Sequence, residues 1–138
     1  MTTPELDAIN AVSAGTLSGL VGLVITNGSP SLVEGHIDVR ADLLAPNGFL
    51  HAATLIALLD SLCGYGAMAN RPGDAVSFTT VELKSNFMGT ARDGRVLGQA
   101  SPVHLGRTTQ VWDAKAFRAE DGKTLALFRC TQMVLYAR

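Results

Sequence analysis

Two periods of hydrophobicity divide this chain. From Phe49 to Ala69 the run FLHAATLIALLDSLCGYGAMA is apolar all the way round a helical projection and too long for an ordinary strand, so it predicts one buried helix. On both sides of it the period falls to two. In LVEGHIDVR, Val33, Gly35, Ile37 and Val39 alternate with Glu34, His36, Asp38 and Arg40, which predicts a strand with one wet face. The apolar stretch Gly19–Thr26 reads as a preceding strand, joined through the turn chemistry of Asn27-Gly28-Ser29-Pro30, so that the two pair as a hairpin. Pro4 opens a short helical pattern before them, with Leu6, Ile9 and Val12 on one face. Asp42–Gly48 reads as a loop leading into the central helix, which stops near Asn70-Arg71-Pro72-Gly73.

Everything after that is strand-like. Val81, Leu83 and Phe87 alternate with Glu82, Lys84 and Asn86; Arg95–His104 follows an Arg92-Asp93-Gly94 turn; Thr109–Arg118 follows Leu105-Gly106-Arg107; Thr124–Tyr136 follows Glu120-Asp121-Gly122. The expected fold class is α+β, a hairpin and a four-strand meander forming one antiparallel sheet wrapped around a long central helix.

Length and charge narrow the picture. With 138 residues, the expectation is a single domain over 1–138. Apolar residues make up 47% and charged residues 17%, which excludes disorder and leaves surface for a second subunit, so a homo-oligomer is expected. A net charge of −1 without a basic run argues against nucleic acid. Cys63 and Cys130 have no metal-ligand spacing, and MTTPELDAIN lacks the pattern of a secretory leader, so a reduced, cytoplasmic protein is expected. Thr54, Asp60, Ser61, Gly64 and Gly66 interrupt the long helix, which is therefore read as core and not as a membrane span.

One carboxylate, Asp60, lies in the middle of that helix. Burying it unpaired costs several kcal/mol, so it needs either hydrogen-bond partners or a task. His51 is nine residues earlier, about 13.5 Å of rise and close to 900° away, on the opposite face. The two cannot cooperate within one chain. They can meet where two helices pack antiparallel across a two-fold axis.

These residues resemble a known family. Asn47-Gly48-Phe49-Leu50-His51-Ala52-Ala53, with Asp60 nine residues after the histidine, is similar to the N-G-x-x-H-G-G…D signature of hotdog-fold acyl-CoA thioesterases, the phenylacetate-pathway type and its 4-hydroxybenzoyl-CoA relatives. Thr80–Phe87 resembles that family's strand after the helix, and His104–Thr109 its turn near the coenzyme A nucleotide, so the likeness covers about residues 17–136. The resemblance implies a hotdog fold, a dimer or dimer of dimers with sites at the subunit interface, no cofactor, and hydrolysis of an acyl-CoA or aryl-CoA thioester. Asp60 would activate water or attack the carbonyl. The backbone N–H of Ala52, at the positive end of the helix dipole, would polarise the thioester oxygen. His51, Asn47 and Thr80 complete the catalytic candidates, and Arg107, Thr108 and Lys84 would meet coenzyme A. The chain departs from the pattern at Ala52, where glycine is usual, at Ala45, where Asn or Gln is frequent, and at Met88-Gly89, where an Arg-Pro pair is frequent.

Other readings remain open at this level. A non-catalytic acyl-CoA-binding protein is suggested by Ala45, Ala52 and Ala53, and a hydratase or dehydratase by the fold alone. His51 can equally be a helix cap, Thr80 an ordinary strand residue, and Arg107 with Thr108 a solvated hairpin tip. Cys63 has no basic partner and reads as core, Trp112 as packing, and His36 and His104 as unrelated to any metal.

Overall fold

The computed structural model describes residues 2–138. The chain opens with helix α1 (Thr3–Val12), started by a capping box in which Thr2 and Glu5 bond each other's backbone N–H, with Pro4 in the first turn. Leu6 and Ile9 pack on the core, whereas Val12 is exposed, so the apolar face is narrower than expected. A single turn of helix, α2 (Leu17–Leu20), follows.

Strands β1 (Val24–Ser29) and β2 (Leu32–Asp38) form the expected hairpin, with two corrections. Gly19–Gly22 belongs to α2 and the turn after it, not to a strand. Asn27–Ser29 are paired strand residues, and the turn sits one step later at Pro30-Ser31 because the pairing closes at Ser29 opposite Leu32. The central helix, α3, spans Ala52–Ala69 and starts three residues later than its apolar run, because Leu50 is held in a bridge to Leu44 before the helix begins. By length and composition α3 could cross a membrane; half of it is buried in this fold.

The remaining strands are β3 (Ala75–Phe87), β4 (Arg95–Leu105), β5 (Thr109–Arg118) and β6 (Thr124–Tyr136). All six make one antiparallel sheet in the order β1-β2-β4-β5-β6-β3. The meander is therefore three strands long, not four: β4 joins the hairpin at β2, and β3 crosses to the far edge to pair with β6. On that edge Val81, Leu83 and Phe87 are exposed at 51%, 38% and 43%, so their alternation marks no buried face within one chain.

Helix and sheet meet through fully buried side chains. Leu55, Leu58, Leu59 and Leu62 of α3 are 0–2% exposed against Val33 and Ile37 of β2, Val96 of β4 and Ala116 of β5. Each buried leucine contributes about 1.5–3 kcal/mol. Close approach needs missing side chains: Gly35 and Gly98 face each other across β2 and β4, and a Cβ at 98 would lie 2.7 Å from Leu62 Cδ1. At the helix C-terminus, buried Gln110 of β5 donates to the carbonyls of Ala67 and Asn70 and accepts from the Trp112 indole N–H at 2.9 Å. Trp112 is fully buried packing.

Candidate active site

Asp60 sits on the flank of α3 that faces the β6–β3 edge of the sheet, where it is only partly buried. The Thr80 hydroxyl of β3 lies 2.9 Å from its Oδ1, and the Gln132 Nε2 of β6 lies 3.5 Å from the same oxygen. Thr80 and Gln132 are direct cross-strand partners, so their side chains leave the sheet on one side, toward the helix. Asp60 Oδ2 has no hydrogen-bond partner among the described residues.

Gln132 is absent from the residues singled out by motif. A signal was available: Ala126, Phe128, Cys130, Gln132 and Val134 fall in one phase of β6, and Gln132 is the polar member of that inward row, fully buried. Gln110 breaks the Gln110-Trp112-Ala114-Ala116 phase of β5 in the same way.

A second group gathers at the N-terminus of α3. His51 is the N-cap, its Nδ1 accepting from the Ala53 N–H at 2.9 Å, which leaves Nε2 as the protonated atom of the neutral ring. The Thr54 N–H bonds the His51 carbonyl and its hydroxyl bonds the Leu43 carbonyl at 3.0 Å, so the cap is fixed to the preceding loop. The Ala52 N–H has no acceptor among the described residues, although it points out of a helix whose dipole makes that end positive. Beside it is a cavity of about 390 Å³ lined by Phe49, Leu55 and Phe87, with Arg118 and Lys123 among its basic residues. Asn47 stands at the same end, exposed, its Oδ1 accepting from the Phe49 N–H at 3.2 Å. The catalytic candidates thus divide into Asn47, His51 and Ala52 at the helix start and Asp60 with Thr80 at its middle, separated along the axis by about 12–13.5 Å.

The coenzyme A candidates are also dispersed. Arg107 is clamped by Asp74 through two bonds of 3.2 and 2.6 Å and lies over the Tyr136 ring, and this pairing holds the Asp74 carboxyl below its usual range. Thr108 lends its carbonyl to the Val134 N–H. Lys84 bonds Asn86 at 2.7 Å in an outer-face groove of about 520 Å³ that also holds Lys115 and Arg129. Thr109 aligns with Thr79, and Asp113 with Lys84, so Lys84 and the Arg107 turn lie at least about 16 Å apart along the strands.

Cys63 is fully buried. The neighbouring Cys130 thiol and that burial push its own thiol well above the ordinary range, away from the reactive thiolate. Among the described residues, no three His, Cys, Asp or Glu side chains are grouped to hold a metal.

Comparison with known proteins gives a consistent result. The profile of the thioesterase superfamily matches residues 47–125, the span that holds both candidate groups. The proofreading thioesterase EntH of Cronobacter sakazakii is 32% identical over 133 residues, covering 94% of this chain and 93% of the relative. The 1,4-dihydroxy-2-naphthoyl-CoA hydrolase of Escherichia coli is 28% identical, covering 94% of each. Among solved structures, a mutant of thioesterase PA1618 from Pseudomonas aeruginosa superposes with a TM-score of 0.91 at 28% identity, covering 99% of this chain and 97% of that one.

Proposed function

The chain belongs to the thioesterase superfamily and is a thioester hydrolase with the hotdog arrangement of helix and sheet; from that premise we propose that it hydrolyses an acyl- or aryl-CoA thioester to the free acid and coenzyme A. The observation that carries this reading is Asp60: a lone carboxylate in an apolar helix, partly open to solvent, with Oδ1 held by Thr80 and Oδ2 free to react. The naphthoyl-CoA relative supports an aryl substrate as one member of the class.

The step balances by either of two routes. As a base, Asp60 takes a proton from water while the water oxygen bonds the carbonyl carbon and the C=O pair moves onto oxygen. As the C–S bond breaks, its electron pair stays on sulfur, which receives the proton back. As a nucleophile, Asp60 bonds the carbonyl carbon itself, the coenzyme A thiolate leaves, and water then cleaves the acyl-aspartate. In both routes the Ala52 N–H stabilises the charge on the carbonyl oxygen.

The two groups lie too far apart on one helix to share a thioester, so the proposed site takes Asp60 from one chain and the Ala52 end from a second copy. Support comes from β3, a 13-residue edge strand with Val76, Val81, Leu83 and Phe87 exposed, a surface suited to pairing with its own copy. Lys123 or Lys84 would then meet coenzyme A phosphates, with Arg107 requiring release from Asp74, and Arg118 from Asp121, to do so. A panel of acyl- and aryl-CoA esters, read by thiol release, tests the reading: Asp60→Asn is expected to lower kcat roughly 100-fold or more. Binding of the esters without release by the wild type would make the protein a binder.

A further inference from the structure

The burial of Gln132 bears on how Asp60 is used, and the argument rests on the thioesterase reading above. A primary amide taken from water is costly unless its atoms are bonded. Gln110, in the neighbouring strand and the same row, is bonded to Trp112 and to two helix carbonyls. Gln132 is bonded to nothing of that kind. Among the described residues its side chain hydrogen-bonds only Thr80, Asp60 and Cys130: Oε1 is 3.0 Å from Thr80 Oγ1, while Nε2 is 3.5 Å from Asp60 Oδ1 and 3.3 Å from Cys130 Sγ.

Thr80 has one hydroxyl proton and two acceptors within 3.0 Å, Asp60 Oδ1 and Gln132 Oε1. While Asp60 is a carboxylate, the hydroxyl donates to Asp60, because the bond to a charged acceptor is the stronger. Once Oδ2 has taken a proton or an acyl group, Oδ1 is a neutral and weaker acceptor, and the hydroxyl turns to Gln132. Reversing the amide would set Oε1 against Oδ1 at 3.5 Å, acceptor facing acceptor, so the orientation with Nε2 toward Asp60 is the one that fits the carboxylate. A carboxylate bonded by a donor with no alternative is stabilised in its charged form and is correspondingly a poorer base or nucleophile.

We propose that Gln132 is a positioning residue for Asp60: it gives the Thr80 hydroxyl a second acceptor, so that the hydroxyl holds Oδ1 in the resting enzyme and lets go as Oδ2 reacts. The Thr80 hydroxyl rotates between two acceptors and keeps its proton throughout, so nothing is consumed.

The test measures kcat, KM and the melting midpoint for wild type, Gln132→Met, Thr80→Val, Thr80→Ser and the double variant Thr80→Val with Gln132→Met, on whichever thioester the wild type cleaves. Gln132→Met is expected to lose about tenfold in kcat with KM within about twofold. The double variant is expected to be no slower than the slower single variant, because the two residues act as one unit, and Thr80→Ser, which keeps the hydroxyl, is expected to recover most of the kcat that Thr80→Val loses. Folded Gln132→Met with unchanged kcat, or losses that add in the double variant, would overturn the proposal while leaving the thioesterase reading intact. If Gln132→Met does not fold, the decision passes to Gln132→Asn, whose shorter side chain withdraws the acceptor from Thr80: a kcat loss that Thr80→Val does not deepen supports the switch, and an unchanged kcat, or losses that add, overturns it. A wild type that releases thiol from no thioester overturns both readings together.

Discussion

The Trp112 ring lies directly on Gly66. A Cβ built at Gly66 would be 2.2 Å from Trp112 Cη2, closer than any real contact, and the indole is fully buried with its N–H committed to Gln110. The ring has nowhere to retreat. Gly66→Ala is therefore expected to destabilise the fold by about 1–3 kcal/mol, despite the better helix propensity of alanine, which a urea titration measures as a lower midpoint.

Gln110 joins that ring to the end of α3. Gln110→Leu leaves the Trp112 N–H and the carbonyls of Ala67 and Asn70 without their partner. At about 1–3 kcal/mol for each buried polar group left unpaired, the loss is expected to be at least as large as that of Gly66→Ala. Denaturant midpoints of the two variants, compared at equal m-value, check this.

His51 acts on the helix through its ring nitrogen. His51→Ala removes the acceptor of the Ala53 N–H and is expected to cost roughly 0.5–2 kcal/mol, most of it restored in His51→Ser, whose hydroxyl can cap. Thermal melts of the pair measure the capping share. Thiol release by His51→Ser, once its stability matches wild type, measures whatever the ring does toward a thioester.

His36 predicts a pH dependence in the neutral range. Burial first, and then the charge of Arg95, hold its imidazole below the ordinary 6.5, against a smaller opposing pull from Asp38, and its Nδ1 is buried without a partner. The unfolded chain takes up the proton that the folded chain resists. Stability is therefore expected to fall as pH drops from 7 toward 5, and His36→Gln is expected to flatten that fall in denaturation measured at several pH values.

The parts of the fold that were legible share one property: their local pattern and their tertiary role agree. Arg95–Leu105, Thr109–Arg118 and Thr124–Tyr136 are strand-like runs set off by glycine turns, two of which, at Gly94 and Gly122, have φ near +75°, a conformation that glycine takes without strain. Gly19–Gly22 misled because a short apolar run has no period to tell a turn of helix from a strand. The place of β3 was not legible, since pairing with β6 across some fifty residues leaves no trace in the local pattern of either strand. In the candidate site, Asp60, His51 and Thr80 stood out by motif. Gln132 did not, because its meaning depends on which phase of β6 faces the helix.

The order of strands also sets an order in time. Helix α3, with Asp60 as its single charge, is synthesised before all four strands from β3 to β6, and β6 is made last yet lies inside the sheet between β5 and β3. At roughly 5–20 residues per second, the most hydrophobic segment of the chain waits on the order of several seconds before its cover can close. A chain interrupted anywhere before Thr124 leaves β3 and β5 without their shared neighbour, so the far edge of the sheet, which carries the Thr80 partner of Asp60, closes only when the last strand is made.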